Sequence, residues 1–299
     1  MRIDISYLGT KNYWLSVKSN ILRWKFLGAF LALYGLIWGI LEPIFAFVPE
    51  EQQRPLKKIW WLYLISAITI AALKSLPRLR YKYIINGKDV ILELRIGDFF
   101  SKKGDMIIST NSHFITKLDS DLISPRSIQG QFTQIYYTNI SHLDSDLENA
   151  LASGTPLPDS PERFGKTKEY KLGTTVKIDV TRKGKVRAAY FFAISRMNEH
   201  KVCNCSKEEF GEALGVLWNY LKEKGFQGNI IMPIIGSGFA RVDLKREDLV
   251  RFIAKSFVAA NADRKVCDKL SIIVFPKDIN MFDMNIERVR TFLQLEINY

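Results

Sequence analysis

Two apolar stretches dominate the N-terminal part of the chain, and neither has much of a polar face. The first covers 26–41 and resumes over 44–48 after Glu42-Pro43; the second covers 59–73. With 44–48 included, the first is long enough to cross the hydrocarbon core of a bilayer. Glu42 is costly in hydrocarbon, so it belongs near the outer interface or against a partner helix. Pro43 can kink or end the helix there. Trp60, Trp61 and Tyr63 mark one interface of the second run, and Lys74, Arg78 and Arg80 mark the other. The intervening 49–58 is short, polar and bounded by prolines. The pattern predicts an all-α two-helix transmembrane hairpin, with spans at about 26–47 and 59–76, inside an N-terminal segment 1–82. Gly28, Ala32, Gly35 and Gly39 share one face of the first span. Such a stripe allows close helix approach, either to the second span or within an oligomer.

From 83 to 299 the pattern becomes that of a globular α/β domain. Strands are predicted at 90–96 and 106–109, followed by a polar stretch over 111–130 that resembles a loop around a site. Helical spacing returns over 131–152. Strands at 174–180 and 186–195 flank the turn Arg182-Lys183-Gly184, a hairpin signal. Ser206 and Glu209 have the spacing of a capping box, opening a helix that ends at Gly225. A buried strand at 229–235, an amphipathic helix at 243–262, a buried strand at 270–275 and a last helix near 284–295 complete the chain. Strands alternating with helices imply a mixed sheet sandwiched by helices.

Charge refines the topology. The chain carries a formal net charge of +12. On a membrane protein, basic residues beside the spans face anionic headgroups and set orientation, so lipid is favoured over nucleic acid. Arg2, Lys11, Lys18, Arg23 and Lys25 precede the first span; Lys74, Arg78, Arg80, Lys82 and Lys88 follow the second. The loop holds only Arg54, Lys57 and Lys58. The positive-inside rule then places both termini in the cytoplasm, as a two-pass protein of the cell inner membrane. A cleaved signal peptide is not expected, because the apolar run begins late. Cys203, Cys205 and Cys267 lack the spacing of a metal site and read as reduced thiols. His113 reads as a surface or capping residue rather than a general base.

Three short features carry candidate chemistry. Gly236-Ser237-Gly238-Phe239 follows a buried strand; glycines there let the backbone approach a ligand, and outward amides can hold phosphate. A lone G-x-G is equally a plain strand-to-helix turn, and without a third glycine a dinucleotide dehydrogenase is disfavoured. Gly97-Asp98-Phe99 places an acid at the end of a strand, where it can accept from an adenine amino group or serve as a turn residue. Leu172-Gly173-Thr174-Thr175 is another glycine turn feeding a strand.

This ordered set resembles a macro domain, the fold that binds ADP-ribose and related nucleotides, over about 89–298. The resemblance implies that Asp98 takes the adenine amino group, supported by the Phe99 amide. It implies that Gly236, Ser237, Gly238 and Phe239 wrap the pyrophosphate, with Phe239 beside the distal ribose. The loop containing Ser124, Ser127, Gly130 and Gln131 would form the opposite wall; Asn111 and Thr174 complete the implied ligand-binding set. Hydrolytic macro domains carry a paired Asn and a triple-glycine loop. Here only Asn111 is available, slightly out of register, and the triple glycine is absent, so a nucleotide sensor is expected rather than an enzyme, with no catalytic residues, metal or cofactor.

The pairing of a transmembrane hairpin with a macro domain resembles the membrane–macro effectors of type II Thoeris anti-phage defence. That family implies a TIR-domain partner producing an ADP-ribose-derived signal, a histidine conjugate of ADP-ribose. It further implies binding by the macro domain, assembly into a homo-oligomer, and disruption of the bilayer in abortive infection. The alternatives are a membrane-tethered ADP-ribosyl hydrolase and a passive ADP-ribose-binding tether; no nucleic-acid partner is expected.

Overall fold

A computed structural model describes residues 13–14, 17–18, 24–49, 51, 53–54, 58–119, 122–182, 185–224, 228–238 and 241–298. The chain divides into two compact units, Met1–Leu79 and Arg80–Tyr299.

In the first unit, helices α1 (Trp24–Phe47) and α2 (Trp60–Lys74) pack against each other. Pro43 sits inside α1 and does not end it. The segment Phe26–Phe47 is long and apolar enough to cross a membrane. The second helix is shorter than the expected span. Its 15 residues rise about 22 Å, against a hydrocarbon core of about 30 Å. It stops at Lys74 because Pro77 steers the preceding residue out of the helical region, and the Ser75 hydroxyl turns back to the Ala71 carbonyl. Ala67 and Ala71 of α2 are completely buried. The small-residue stripe of α1 does not take part in the helix packing. Gly28, Ala32, Gly35 and Gly39 are exposed, and a Cβ at any of the three glycines would meet nothing within 4 Å. The Gln53 amide donates to the Phe45 and Val48 carbonyls, closing the end of α1.

The second unit is built on an eight-stranded sheet. Its strands are β1 (Arg80–Ile84), β2 (Ile91–Ile96), β3 (Asp105–Asn111), β4 (Thr175–Arg182), β5 (Lys185–Met197), β6 (Cys203–Asn204), β7 (Asn229–Pro233) and β8 (Lys269–Val274). The order is β1-β2-β8-β7-β3-β5-β4, with β6 paired to β5. The strands β2, β8, β7, β3 and β5 run parallel; β1 and β4 close the edges antiparallel. β1 was not expected as a strand: its sequence Arg-Tyr-Lys-Tyr-Ile alternates, but its basic residues read as a membrane flank.

The helices are α3 (Ile128–Tyr136), α4 (Ile140–Leu151), α5 (Lys207–Glu223), α6 (Arg246–Ala260), α7 (Pro276–Met281) and α8 (Ile286–Asn298). The single helix expected over 131–152 is two. Asn139 breaks it by capping the second, accepting from the Ser141 amide with its side chain. The helix expected from 243 starts only at Arg246, and the described residues 241–245 before it are not helical. The capping box of Ser206 and Glu209 is present at the start of α5. Gly225 and the turn residues Lys183 and Gly184 lie outside the described residues. One face of the sheet buries Met106, Ile108, Ile231 and Ile273 with Phe99, Phe132, Leu143 and Leu147. Residues of α3 and α4 thus cover the β3–β4 side of that face.

Candidate functional site

In an open sheet with parallel strands, ligands bind beyond the carboxyl ends of those strands. Here all five parallel strands deliver residues to one cavity of about 430 Å³, within the usual range for small-molecule sites. β2 leads into Gly97, Asp98 and Phe99; β3 ends in Ser109, Thr110 and Asn111. Ile194, Ser195 and Met197 come from β5, residues from Pro233 to Gly238 follow β7, and Ile273 and Phe275 end β8.

Asn111 sits where the β3–β5 register shifts, a local irregularity that re-aims a side chain. Its Oδ1 accepts from the His113 amide at 3.0 Å and the Ile115 amide at 3.3 Å. Its Nδ2 is buried with no hydrogen-bond partner among the described residues, and so is the Thr110 hydroxyl. Both residues line the cavity. Orphaned buried donors cost free energy unless a ligand or water satisfies them.

The wall at 124–131 is stiff. The Ser127 hydroxyl donates to the Ser124 carbonyl at 2.7 Å and accepts from the Gly130 amide at 3.0 Å. The Gln131 side chain donates to the Arg126 carbonyl at 2.8 Å. Gly130 is what lets α3 approach this loop: a Cβ there would lie 2.2 Å from the Ser124 carbonyl oxygen. In the opposite turn Gly236 has φ +87° and is packed on Val242 and Leu249, whereas Gly238 has open space around it. The Ser237 hydroxyl donates back to the Ile234 carbonyl at 2.8 Å.

Of the expected ligand-binding set, Asp98, Phe99, Asn111, Ser124, Ser127, Gln131, Gly236, Ser237 and Gly238 line the cavity. Gly130 does not; it supports the wall from behind. Thr174 is also absent from the lining. Its amide donates to the Lys171 carbonyl and its carbonyl accepts from Ala193, which spends the backbone of that turn on the sheet. Phe239 lies outside the described residues.

Sequence patterning missed one pair. Arg246, at the start of α6, and Asp278, in α7, both line the cavity. They form an ion pair at 3.6 Å, with the guanidinium 3.3 Å above the Phe282 ring. Burial raises the Asp278 carboxyl above its ordinary range, and Arg246 pulls it part of the way back. Phe275, half exposed at the rim, and Cys203, whose thiol burial pushes up, were missed as well. His113 is not at the surface. It is 2% exposed, its Nε2 lies 3.1 Å from the Pro161 carbonyl, and it does not line the cavity. The three cysteines are free and buried.

Residues 92–275 match the family described as Thoeris protein ThsA, Macro domain. The chain belongs to this ThsA macro-domain family. Its mixed sheet flanked by helices is the macro-domain α/β fold. Thoeris protein ThsA of Bacillus amyloliquefaciens (strain Y2) is a relative, 22% identical over 203 residues. The match takes in 65% of this chain and 65% of that protein, so the chain spans under two thirds of this ThsA relative's length. A macrodomain of Oceanobacillus iheyensis with ADPR has a similar structure. The TM-score is 0.46 at 15% identity, covering 74% of this chain and 97% of that one. The same macrodomain with ADP gives 0.45 at 15% identity, covering 74% and 95%. At these scores the two likenesses add nothing to the ThsA assignment.

Proposed function

We propose that this chain is an anti-phage defence effector whose macro domain senses an ADP-ribose-derived nucleotide, a histidine conjugate of ADP-ribose supplied by a TIR-domain enzyme. The observation that carries the reading is the cavity itself. Two buried, unpartnered polar groups, Thr110 Oγ1 and Asn111 Nδ2, meet a glycine turn at the ends of five parallel strands. Polar donors of this kind suit ribose hydroxyls, and a glycine turn whose backbone a ligand can approach closely suits a diphosphate. Asp98 then takes the adenine amino group, and Ser124, Ser127, Gln131, Gly236, Ser237, Gly238 and Phe239 enclose the rest of the molecule.

Sensing rather than hydrolysis is favoured by the lining. Asp278 is engaged by Arg246, the Cys203 thiol is held in its neutral form, and His113 is tied to a backbone carbonyl away from the cavity. In this reading α1 and α2 enter the inner membrane as a two-pass hairpin with both termini cytoplasmic. Ligand binding drives homo-oligomer assembly and bilayer disruption, which ends in abortive infection. The outward glycine face of α1 supports helix–helix assembly, and a ligand shifts assembly only by binding one state better than the other.

Calorimetry of the full chain in detergent against ADP-ribose and histidine–ADP-ribose tests the sensor. Binding without turnover is expected, together with growth of particle mass in mass photometry; binding of neither nucleotide would sink the reading. Turnover of ADP-ribosylated protein that disappears in Asn111→Ala would instead identify a hydrolase. Gly238→Glu should leave the fold intact, because its side chain enters open space. It should nevertheless abolish binding, because a carboxylate opposes the phosphates.

A further inference from the structure

Away from the cavity, four basic side chains converge on one face of the sheet edge. Register places them there: Arg80 faces Arg95, Lys82 faces Glu93, and Ile91 faces Lys269. At the centre is Glu93, whose side chain is 0% exposed. It lies 2.8 Å from Arg80, 3.7 Å from Arg95 and 3.7 Å from Lys269. A buried carboxylate is costly to desolvate unless it is paired. Here one carboxylate orients three cations while Lys82 stands exposed on the same face. Four positive side chains against one negative leave the face strongly basic. The Arg80 and Arg95 side chains are 42% and 34% exposed, and Ile84 between them and the turn is 68% exposed.

We propose that this face of β1, β2 and β8 docks on a bilayer surface through anionic lipid headgroups. The inference rests on the membrane reading above. Charge complementarity is the first argument: clustered Lys and Arg beside a membrane helix attract anionic lipid, each cation changing occupancy roughly fivefold. The second is chain continuity. Only residues 75–79 separate the end of α2 from Arg80, so the cations of β1 are tethered close to any surface that α2 enters. A single-stranded nucleic acid is the poorer fit, because it needs rings to stack on. Tyr81 and Tyr83 of β1 alternate onto the other side of the strand, where the Tyr83 hydroxyl donates to the Arg290 carbonyl.

Lysine footprinting of the full chain in nanodiscs tests this. An amine-reactive reagent is applied in phosphatidylcholine discs and in discs rich in phosphatidylglycerol. Lys82 should be protected severalfold in the anionic discs at low salt, with protection lost near 1 M salt, where the screening length is about 3 Å. Lys177, exposed on β4 at the far edge, should react alike in both and reports an intact fold. In Lys82→Glu, protection of Lys269 should fall in parallel. Equal reactivity of Lys82 in both discs would overturn the docking while leaving the membrane reading in place. Release of the chain from membranes by alkaline carbonate would overturn both. Protection produced by added RNA in phosphatidylcholine discs, and not by phosphatidylglycerol, would reassign the face to nucleic acid.

Discussion

Gly130, behind the 124–131 wall, and Asn111, in the cavity lining at the end of β3, respond differently to substitution. Ala at 130 would put its Cβ 2.2 Å from the Ser124 carbonyl oxygen and 2.9 Å from the Pro125 Cα. Both are backbone atoms, so the loop or α3 must move. Gly130→Ala should destabilise the domain by about 1–3 kcal/mol, measured by denaturant unfolding, and weaken nucleotide binding as the Ser124–Ser127 wall shifts. Asn111→Ala removes both the turn acceptor and the unpaired carboxamide Nδ2, so it mixes fold with function. Asn111→Asp keeps the acceptor for the His113 and Ile115 amides but exchanges the donor for a buried carboxylate, which is costly to desolvate without a cation beside it. Stability should fall, read by denaturant unfolding, and nucleotide affinity should fall about tenfold or more, read by calorimetry.

At the scale of elements, the start of α5 gives a pH-dependent expectation. The Glu209 carboxyl is held below its ordinary value of 4.5, first by the Ser206 amide and then by Arg196. A depressed native value means the unfolded chain binds the proton more readily. The contribution is therefore complete above pH 4.5 and lost as pH falls through the lower native value. Glu209→Gln should remove this acid-sensitive part. Ser206→Ala should cost about 1 kcal/mol at neutral pH. Hydrogen exchange over the first turn of α5 reads both. The same scale explains why α2 stops short of the span expected to residue 76: Pro77 and the Ser75 hydroxyl end the helix at Lys74.

For the whole molecule, the expectation is thermodynamic linkage. A nucleotide that binds only the folded state stabilises it by about 2.7 kcal/mol at a hundredfold excess over Kd, a rise of several degrees in Tm. The Gly238→Glu protein should show the unliganded Tm whether or not nucleotide is added. Differential scanning calorimetry of the detergent-solubilised chain checks both. A rise in Tm for the variant would place the phosphates elsewhere than the 236–238 turn.

The amino-acid sequence by itself determined what is encoded within a few residues. Apolar runs marked α1 and α2, alternation marked β4 and β5, short buried runs marked β7 and β8, the Ser206–Glu209 spacing marked a helix start, and Gly97-Asp98-Phe99 with Gly236-Ser237-Gly238 marked two edges of the cavity. These signals are local, because helix caps, turns and side-chain periodicity depend on neighbours along the chain. Only the tertiary structure decided which distant residues meet. Strand order does not follow chain order, so β2 lies beside β8 and Lys269 reaches Glu93. The Arg246–Asp278 pair forms because α6 and α7 both start near the cavity, and no periodicity announces that. The same holds for the outward turn of the α1 glycines, for Thr174 drawn away from the lining, and for His113 buried behind it. In each case the deciding quantity is which surface another element already occupies.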